Sequence, residues 1–384
     1  MNRNILLTPG PTMIPSEVRE ALGRPIIHHR TPQFQNNIKE AIEGLRYVFQ
    51  TKNEIYLLTC SGTGAMEASV CNLLSPGDKA IVVEGGKFGE RWVELCEAYG
   101  IEAKVIHVPW GKAVQPRQVE ELLSANKDAK AVFITQTETS TAVLTDVKAI
   151  ADVVKKTNAV LVVDCVSGLA ANDLQTDEWG VDVVVSASHK GFMLPPGLAF
   201  VSVSSKAYKL VETSTNRRYY FDLRESKKAF AQTDTPFTPA IGIVIGLVES
   251  LKLIKKAGLE NWFAHQALLA QGTREAIKAL GLSLYTHPSC FSNALTAVNV
   301  PAGIDGDKLV KILRDEHGVT MTGGQSELKG KIFRVAHMGC VCEEDIITGI
   351  SFLEKVLEQL GYKFNQQAGV KTAQKVFNVK KTGV

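Results

Sequence analysis

The chain has 384 residues, of which 45% are hydrophobic and 22% charged, so it can bury one large core and a second, smaller one. Its 43 basic and 40 acidic residues are spread along the chain and leave a net charge of +3, which argues against nucleic acid or an anionic membrane as a partner. The seven cysteines are scattered and lack the paired C-x-x-C spacing of zinc sites, so we expect no metal and a cytoplasmic location.

The N-terminal segment and the stretch after it differ in their pattern. Several prolines surround Gly10, and proline disrupts a regular helix, so residues 1–22 are predicted to form an extended arm that lies on another surface. From Phe34 onward, apolar residues recur every three or four positions, which indicates an amphipathic helix.

The next part of the chain alternates between strand-like and helical patterns. Strand-like apolar runs occupy residues 55–59, 80–83, 104–108, 131–135, 159–163 and 181–185, with helical patterns such as 89–99 and 146–157 between them. This alternation predicts an α/β fold with a largely parallel sheet. A further run, 198–203, leaves no room for a crossover helix, so it is expected to enter the sheet antiparallel and make the sheet mixed.

The sequence divides into a large and a small domain. A long helical pattern over 241–257 ends at Gly258, after which new helices and strands begin. We therefore predict a large domain over 23–257 and a smaller C-terminal domain over 258–364. Residues 365–384 are rich in Gln, Lys and Thr and show little apolar periodicity, so they are predicted to form a frayed tail.

A small-residue turn is a candidate phosphate cradle. Ser61-Gly62-Thr63-Gly64-Ala65 follows a predicted strand and opens a helical pattern, so backbone N–H groups could surround an anion at the positive end of the helix. The segment matches neither a P-loop nor a dinucleotide fingerprint, because G-K-[ST] and the third glycine of G-x-G-x-x-G are missing. Taken alone, such a turn more often serves packing only.

An acid and a lysine follow two neighbouring strands of the predicted sheet. Asp164 directly follows the run 159–163, and Lys190 follows the next strand after small residues and precedes Gly191. Parallel strands present their carboxyl ends at one edge, so both side chains should meet the Gly-rich turn there. Alternatively, Asp164 caps a helix and Lys190 is a surface residue. A phosphate cradle, an acid for the pyridine nitrogen and an imine-forming amine together suit pyridoxal phosphate.

The sequence resembles the class V aminotransferases of pyridoxal-phosphate fold type I, particularly the alanine-glyoxylate and serine-pyruvate group. The resemblance covers nearly the whole chain and rests on Thr8-Pro-Gly-Pro, Ser61-Gly-Thr-Gly-Ala-Met-Glu-Ala, Glu138-Thr-Ser-Thr, Val163-Asp-Cys-Val-Ser, Ser188-His-Lys, Thr235-Pro-Phe-Thr-Pro and Arg334-Val-Ala-His-Met-Gly, all in family order. It implies a mostly parallel mixed sheet in a large domain and a smaller α+β C-terminal domain.

The resemblance also implies roles for individual residues. Lys190 would bind the cofactor covalently, Asp164 would keep the pyridine nitrogen protonated and Phe88 would stack on the ring. The other implied cofactor contacts are Ser61, Gly62, Thr63 and His189 near the phosphate, Ser140 at the ring hydroxyl, Val166 on the opposite ring face, and Thr235 and Thr238 from the other subunit of a homodimer.

The substrates would be a small amino acid and a 2-oxo acid. Arg334 matches the family arginine that binds the substrate carboxylate, a task suited to a planar guanidinium that can pair with both oxygens. Alternatively, Arg334 forms a structural ion pair. Gly10 and Pro11 of the arm would line the substrate side and admit only small side chains. Alanine or serine as donor and glyoxylate or pyruvate as acceptor are the expected substrates.

Two other functions remain open. A related pyridoxal-phosphate reaction, desulfuration or a lyase reaction, is disfavoured because residues 323–331 contain no cysteine and Arg334 is present. Some relatives carry the label of a soluble hydrogenase small subunit, which would make the chain an accessory protein of a redox complex. The sequence shows no ligand pattern for iron-sulfur or nickel, and an accessory role would not need Lys190 or Asp164.

Overall fold

The chain folds around a central seven-stranded sheet. The structure, a computed structural model, describes residues 4–381, so residues 1–3 of the predicted arm and 382–384 of the predicted tail lie outside the described residues. The strands are β1 (Ile5–Leu6), β2 (Glu54–Leu58), β3 (Lys79–Glu84), β4 (Glu102–His107), β5 (Ala131–Thr135), β6 (Thr137–Glu138), β7 (Val143–Leu144), β8 (Val160–Asp164), β9 (Val183–Ala187), β10 (Ala199–Val203), β11 (Leu295–Asn299), β12 (Val319–Thr320), β13 (Thr322–Gly323) and β14 (Ile332–Ala336). The helices are α1 (Ser16–Leu22), α2 (Pro32–Phe49), α3 (Gly62–Leu73), α4 (Lys87–Ala98), α5 (Pro116–Ala125), α6 (Val147–Val154), α7 (Thr176–Trp179), α8 (Ser205–Thr213), α9 (Leu223–Phe230), α10 (Ile241–Ala257), α11 (Leu259–Ala279), α12 (Gly306–His317), α13 (Glu343–Gln359) and α14 (Ala368–Lys381).

The central sheet is mixed and mostly parallel, as predicted. Its strand order is β2-β10-β9-β8-β5-β3-β4. All neighbours from β9 to β4 pair in parallel, and β10 pairs antiparallel with both β9 and β2. Because β10 follows β9 without a crossover helix, the chain must reverse direction between them, which confirms the expected antiparallel entry.

Both faces of the sheet are covered, which explains why its strands are apolar without a break. Along β5, Val132 and Ile134 join the core on one face, and Ala131 and Phe133 join the core on the other. Successive side chains of a strand point to opposite faces, so a sheet between two helical layers needs apolar residues at every position.

The sheet topology brings three segments of interest to one edge. In their antiparallel pairings, Leu58 at the end of β2 and Ala187 at the end of β9 flank the same residue, Ala199 at the start of β10. The carboxyl ends of β2 and β9 therefore lie at the same edge of the sheet. Asp164 ends β8, the parallel neighbour of β9, and reaches this edge as well.

A second core lies outside the central sheet. The antiparallel sheet β11-β14-β13 and helices α11 to α13 surround it, and buried members include Val298, Leu313 and Phe333. The arm contributes to this core, because β1 pairs in parallel with β12 and Ile5 and Leu7 are buried there. The predicted extended arm is wrong for residues 16–22, which form α1, because the prolines all precede the first turn of this helix and do not interrupt it. No helix among residues 4–381 has the length and apolarity needed to cross a membrane.

The predicted frayed tail is wrong for most of its length, because residues 368–381 form α14. Ala373 and Phe377 are 0% and 2% exposed and pack in the second core. The start of α14 is held by Glu354 of α13, whose carboxylate accepts hydrogen bonds from the backbone N–H groups of Gly369 and Val370 at 2.9 and 3.1 Å. Because the capping carboxylate comes from another helix, the tail sequence itself contains no signal for the start of α14.

Candidate active site

Lys190 lies in the crevice at the carboxyl edge of the sheet. Its side chain is 7% exposed, and its Nζ donates a hydrogen bond to the carbonyl oxygen of Pro9. The hydroxyl of Thr12 donates to the carbonyl of Lys190 at 2.9 Å, so the arm holds both ends of this residue. Burial lowers the pKa of Lys190 to about 8, with Arg334 adding to the effect and Asp164 opposing it. A lysine with this pKa is partly neutral near pH 7 and can act as a nucleophile or a base.

Asp164 is a buried carboxylate at the same edge. It is 2% exposed, and its Oδ1 accepts a hydrogen bond from the N–H of Val166 at 2.8 Å. Burial raises the pKa of Asp164 to about 7; the charge of Glu138 raises it further, whereas Arg91 and Lys190 lower it. Among residues 4–381 no cation lies within ion-pair distance of this carboxylate, so a cationic group from outside the protein suits it.

The predicted phosphate cradle forms the start of α3. The hydroxyl of Ser61 does not cap the helix, so the first N–H groups remain available to an anion. A side chain at Gly62 would come within 2.7 Å of Val166, so only glycine fits between the helix and the strand end. The buried Nδ1 of His189 has no hydrogen-bond partner among the described residues, and burial lowers the His189 pKa to about 4. These groups fit the phosphate of pyridoxal phosphate.

Arg334 is a buried guanidinium whose hydrogen bonds, within residues 4–381, all go to uncharged oxygen atoms. It lies on β14 and is 5% exposed. It donates hydrogen bonds to the carbonyl of Gly323 at 2.8 and 3.1 Å, to the carbonyl of Thr139 at 2.9 Å and to Oε1 of Gln325 at 3.3 Å. Burial lowers its pKa to about 10. The alternative of a structural ion pair finds no support, since no carboxylate in the described part of the chain forms an ion pair with Arg334.

Phe88 lies at the start of α4 and is half-buried. The guanidinium of Arg91, one helical turn later, lies 4.8 Å from the centre of its ring. Arg91 is close enough to lower the pKa values of both Asp164 and Lys190. Sequence reasoning missed Arg91, although its spacing of three residues from Phe88 on a predicted helix was a usable signal.

Ser140, which is predicted to lie at the ring hydroxyl of the cofactor, has a hydroxyl that is hydrogen-bonded within the chain. Its hydroxyl donates a hydrogen bond to Glu138 at 2.5 Å and accepts one from the N–H of Lys87 at 3.2 Å. The preceding residue, Thr139, connects this turn to Arg334, because its carbonyl accepts a hydrogen bond from Arg334 at 2.9 Å and its hydroxyl donates to Ser167 at 2.7 Å.

Thr235 and Thr238 are not joined to the site within one chain. The Thr235 hydroxyl donates to the carbonyl of Phe237 at 2.8 Å, and Thr238 is exposed. Both lie in the loop before α10. Gly10 and Pro11, in contrast, belong to the arm segment that covers Lys190: a side chain at Gly10 would come within 2.5 Å of two lysine carbons.

The cysteines do not suggest a nucleophile or a metal centre. Burial raises the pKa of Cys60 and Cys96 to about 12 and that of Cys342 to about 11, so these thiols stay protonated at neutral pH. Cys340 donates to the carbonyl of Met13 at 3.2 Å. Within residues 4–381, no three or more His, Cys, Asp or Glu side chains are grouped so that they could hold a metal ion.

The sequence is similar to proteins with two kinds of name. The family model for class V aminotransferases matches residues 6–341. An L-aspartate–glyoxylate aminotransferase of Paracoccus denitrificans (strain Pd 1222) is 37% identical over 379 residues, covering 97% of this chain and 96% of the relative. A protein named soluble hydrogenase, small subunit, from Synechococcus sp. (strain PCC 6716) is 42% identical, covering 98% of this chain and 99% of the relative.

The fold is similar to that of solved aminotransferases. The crystal structure of an alanine–glyoxylate aminotransferase from Nostoc sp. superimposes with a TM-score of 0.90 at 30% identity, covering 93% of this chain and 96% of that chain. The matched region includes the Gly-rich turn, Asp164, Lys190 and Arg334, the residues that converge at the sheet edge. The chain belongs to the class V aminotransferase family.

Proposed function

We propose that this transaminase moves an amino group from alanine or serine to glyoxylate or pyruvate, with pyridoxal phosphate bound at Lys190. The family implies an amino acid and a 2-oxo acid as substrates and pyridoxal phosphate as the cofactor. The observation that carries the proposal is Arg334, a buried cation held only by uncharged oxygens and close enough to lower the pKa of Lys190. The names of the Paracoccus and Nostoc proteins share glyoxylate, which favours glyoxylate as the acceptor.

Lys190 and Asp164 divide the proton chemistry. Pyridoxal phosphate, when bound, supplies a ring that accepts the electron pair left when an amino acid loses its α-proton. Asp164 would hold a proton on the pyridine nitrogen, because a buried carboxylate favours a cationic partner. Burial lowers the pKa of Lys190 to about 8 in the chain without cofactor, so its Nζ would be able to remove and return a proton near neutral pH.

The remaining cofactor contacts would hold the phosphate and the ring. The groups available to the phosphate are at Ser61, Gly62, Thr63 and His189. Phe88 would cover one face of the ring and Val166 the other. This arrangement is supported by the packing of Gly62 against Val166, which joins the start of α3 to the segment that follows Asp164.

A second copy of the chain would complete the site. Tyr219 and Tyr220 are 81% and 43% exposed, and Phe237 stacks on Tyr220 with 5.2 Å between ring centres. Large exposed aromatic side chains next to one another are typical of interfaces. Thr235 and Thr238 lie in the loop that contains Phe237, and in a homodimer they would reach the phosphate of the other subunit. The cytoplasm remains the compartment that we expect from the cysteine pattern.

The arm would restrict the substrate to small side chains. Gly10 has a φ of +112° and abuts Lys190, so the backbone itself forms the wall beside the lysine. Pro11 adds a rigid ring next to it. A backbone wall this close to the reactive amine leaves room for the side chain of alanine or serine rather than for a branched or aromatic one.

The absorption spectrum of the purified protein with pyridoxal phosphate tests the proposal. L-alanine, L-serine and L-aspartate are added separately, and the cofactor band is followed before and after each addition. Conversion of the band to that of the aminated cofactor by alanine or serine supports the proposal and names the donor. Conversion by aspartate alone keeps the transaminase but contradicts the proposed donor. If cofactor binds and none of the three converts it, the desulfurase, lyase or redox-accessory alternatives gain support.

A further inference from the structure

Glu138 is a fully buried carboxylate that none of the roles above uses. It is 4% exposed and ends the short strand β6, far in sequence from Phe88 and Gly89, which it contacts. Its oxygens accept hydrogen bonds from the N–H groups of Phe88 and Gly89, each at 3.1 Å, and from the N–H and the hydroxyl of Ser140 at 3.1 and 2.5 Å. No Lys, Arg or His forms an ion pair with it among the described residues.

The carboxylate serves as the cap of α4. The residue before the helix is Gly86, which has no side chain to cap the first turn. A side chain there would come within 2.5 Å of the Glu138 carboxyl carbon, so glycine is the residue that lets the carboxylate reach the helix end. The hydrogen bonds from α4 fix the turn that contains Phe88; burial raises the pKa of Glu138, and these hydrogen bonds oppose the rise because they favour the charged carboxylate.

The same residue also supports the substrate side of the site. Its neighbour Thr139 offers the carbonyl that accepts a hydrogen bond from Arg334 at 2.9 Å. The position of this carbonyl depends on the tight turn that Glu138 holds through Ser140. The charge of Glu138 further acts on Arg334, whose pKa it raises, and on Asp164, whose pKa it also raises.

We propose that Glu138 is a positioning residue that fixes Phe88 against the cofactor and the Thr139 carbonyl against Arg334, and so sets affinity for both cofactor and substrate. Glu138 acts through these neighbours and takes no part in the chemistry itself. The inference rests on the proposed function for the identity of the ligands. The hydrogen bonds from which we infer this role join residues of the chain and involve no ligand.

Glu138→Gln tests this role with little change in size. The amide can still accept hydrogen bonds through its oxygen, but its NH₂ group would face N–H donors of α4 or Ser140. We expect the amides of Phe88 and Gly89 to exchange hydrogen about tenfold faster or more, with and without pyridoxal phosphate, because a charge-assisted cap is lost. The Kd for pyridoxal phosphate and the KM for the amino donor should each rise about tenfold, whereas kcat falls less than about threefold.

Glu90→Gln is the matched control. Glu90 lies in the same turn of α4 and pairs with Lys87, and among residues 4–381 no hydrogen bond or ion pair joins its side chain to Phe88 or Glu138. We expect its hydrogen exchange, cofactor affinity and KM to equal those of the unmodified protein. Glu138→Asp is the second variant, in case Glu138→Gln does not fold. It keeps the carboxylate but shortens the side chain by one carbon, which weakens the hydrogen bonds to α4 and Ser140, so KM should rise in the same direction by about two- to threefold.

The outcomes separate this inference from the proposed function. Faster exchange at Phe88 and Gly89 with unchanged Kd and KM would show that Glu138 only stabilises the start of α4, and would overturn the inference. An unmodified protein that transfers no amino group would contradict the proposed function instead. In that case, the exchange rates and the Kd for pyridoxal phosphate still decide whether Glu138 positions Phe88.

Discussion

Burial of charge is the property that the principal site residues share. Lys190, Asp164 and Arg334 are each at most 7% exposed. Burial raises the pKa of Asp164 and lowers the pKa values of Lys190 and Arg334, so in each case it favours the neutral form. Keeping charged groups out of water costs free energy in the empty protein. In the proposed function, a cofactor with a pyridinium nitrogen and a substrate with a carboxylate would supply charges opposite to those of Asp164 and Arg334. Each residue therefore gives a distinct, measurable prediction.

Asp164→Asn should stabilise the cofactor-free protein and remove most of the activity. The folded-state pKa of about 7 exceeds the usual 3.8, so the folded state binds its proton more tightly than the unfolded state. The stability of the unmodified protein should therefore fall as pH rises from about 4 to about 7, and then stay constant. Asn keeps an oxygen that can accept the hydrogen bond from the N–H of Val166, but it is uncharged and so avoids the cost of burying a carboxylate.

Thermal unfolding of both proteins across this pH range measures the effect. The Tm advantage of the Asn variant should be absent near pH 4 and should reach at least about 3 °C above pH 7. Amino transfer should fall at least about a hundredfold. A variant that is no more stable than the unmodified protein at any pH would show that Asp164 carries no burial penalty.

Arg334→Lys should impair substrate binding selectively. Lysine keeps the charge but cannot pair with both oxygens of a carboxylate or reach the carbonyls of Gly323 and Thr139 together. KM for the amino donor and the 2-oxo acid should rise about ten- to a hundredfold, with the cofactor spectrum unchanged. Arg314→Lys, at an exposed position on α12, is the control for the loss of an arginine. Equal KM values for both variants would remove Arg334 from the substrate site.

Gly10→Ala should damage the site by contact with Lys190. The new Cβ would lie within 2.5 Å of the lysine Cδ and Cε, and the φ of +112° is unfavourable for alanine. Gly77→Ala separates the two effects, because Gly77 has a φ of +84° with nothing within 4 Å. Both variants should lose about 1 kcal/mol or more of stability from backbone strain. Only Gly10→Ala should also lose pyridoxal-phosphate binding, measured by fluorescence titration. Equal binding by both variants would contradict the claim that the backbone at Gly10 lies directly against Lys190.

At the scale of elements, the sequence predicted long apolar strands better than short or remotely held ones. The runs 131–135 and 159–163 mark β5 and β8 closely, because a strand buried on both faces is apolar at every position. The hairpin of β6 and β7 was missed, since two-residue strands have no periodicity. Helix α14 was missed because its cap, Glu354, lies on another helix.

Helix α14 gives a prediction at this scale. Phe377→Ala should lower the free energy of unfolding by about 3–5 kcal/mol, because the ring is buried against α11 and leaves a cavity when removed. Gln374→Ala, at an exposed position of the same helix, should change it by less than about 0.5 kcal/mol. Denaturant unfolding measures both. Equal stability of the two variants would mean that α14 does not belong to the second core.

At the scale of the whole molecule, the site depends on chain segments that lie far apart in sequence. The meeting of Asp164, Lys190 and the turn at Ser61 could be predicted, because strand order in an α/β sheet places carboxyl ends together. The role of Glu138 could not, since it depends on contacts between α4 and a turn some fifty residues away. Periodicity carries no information about such pairings.

Trapping of the cofactor is the measurement that tests the central claim most directly. The protein loaded with pyridoxal phosphate is reduced with borohydride, digested and examined by mass spectrometry, with and without prior addition of L-alanine or L-serine. We predict that the cofactor is found on the peptide containing Lys190, and that prior addition of the amino donor removes it from that peptide by converting it to the aminated form. Cofactor on a different lysine, or on Lys190 regardless of the donor, would contradict the account.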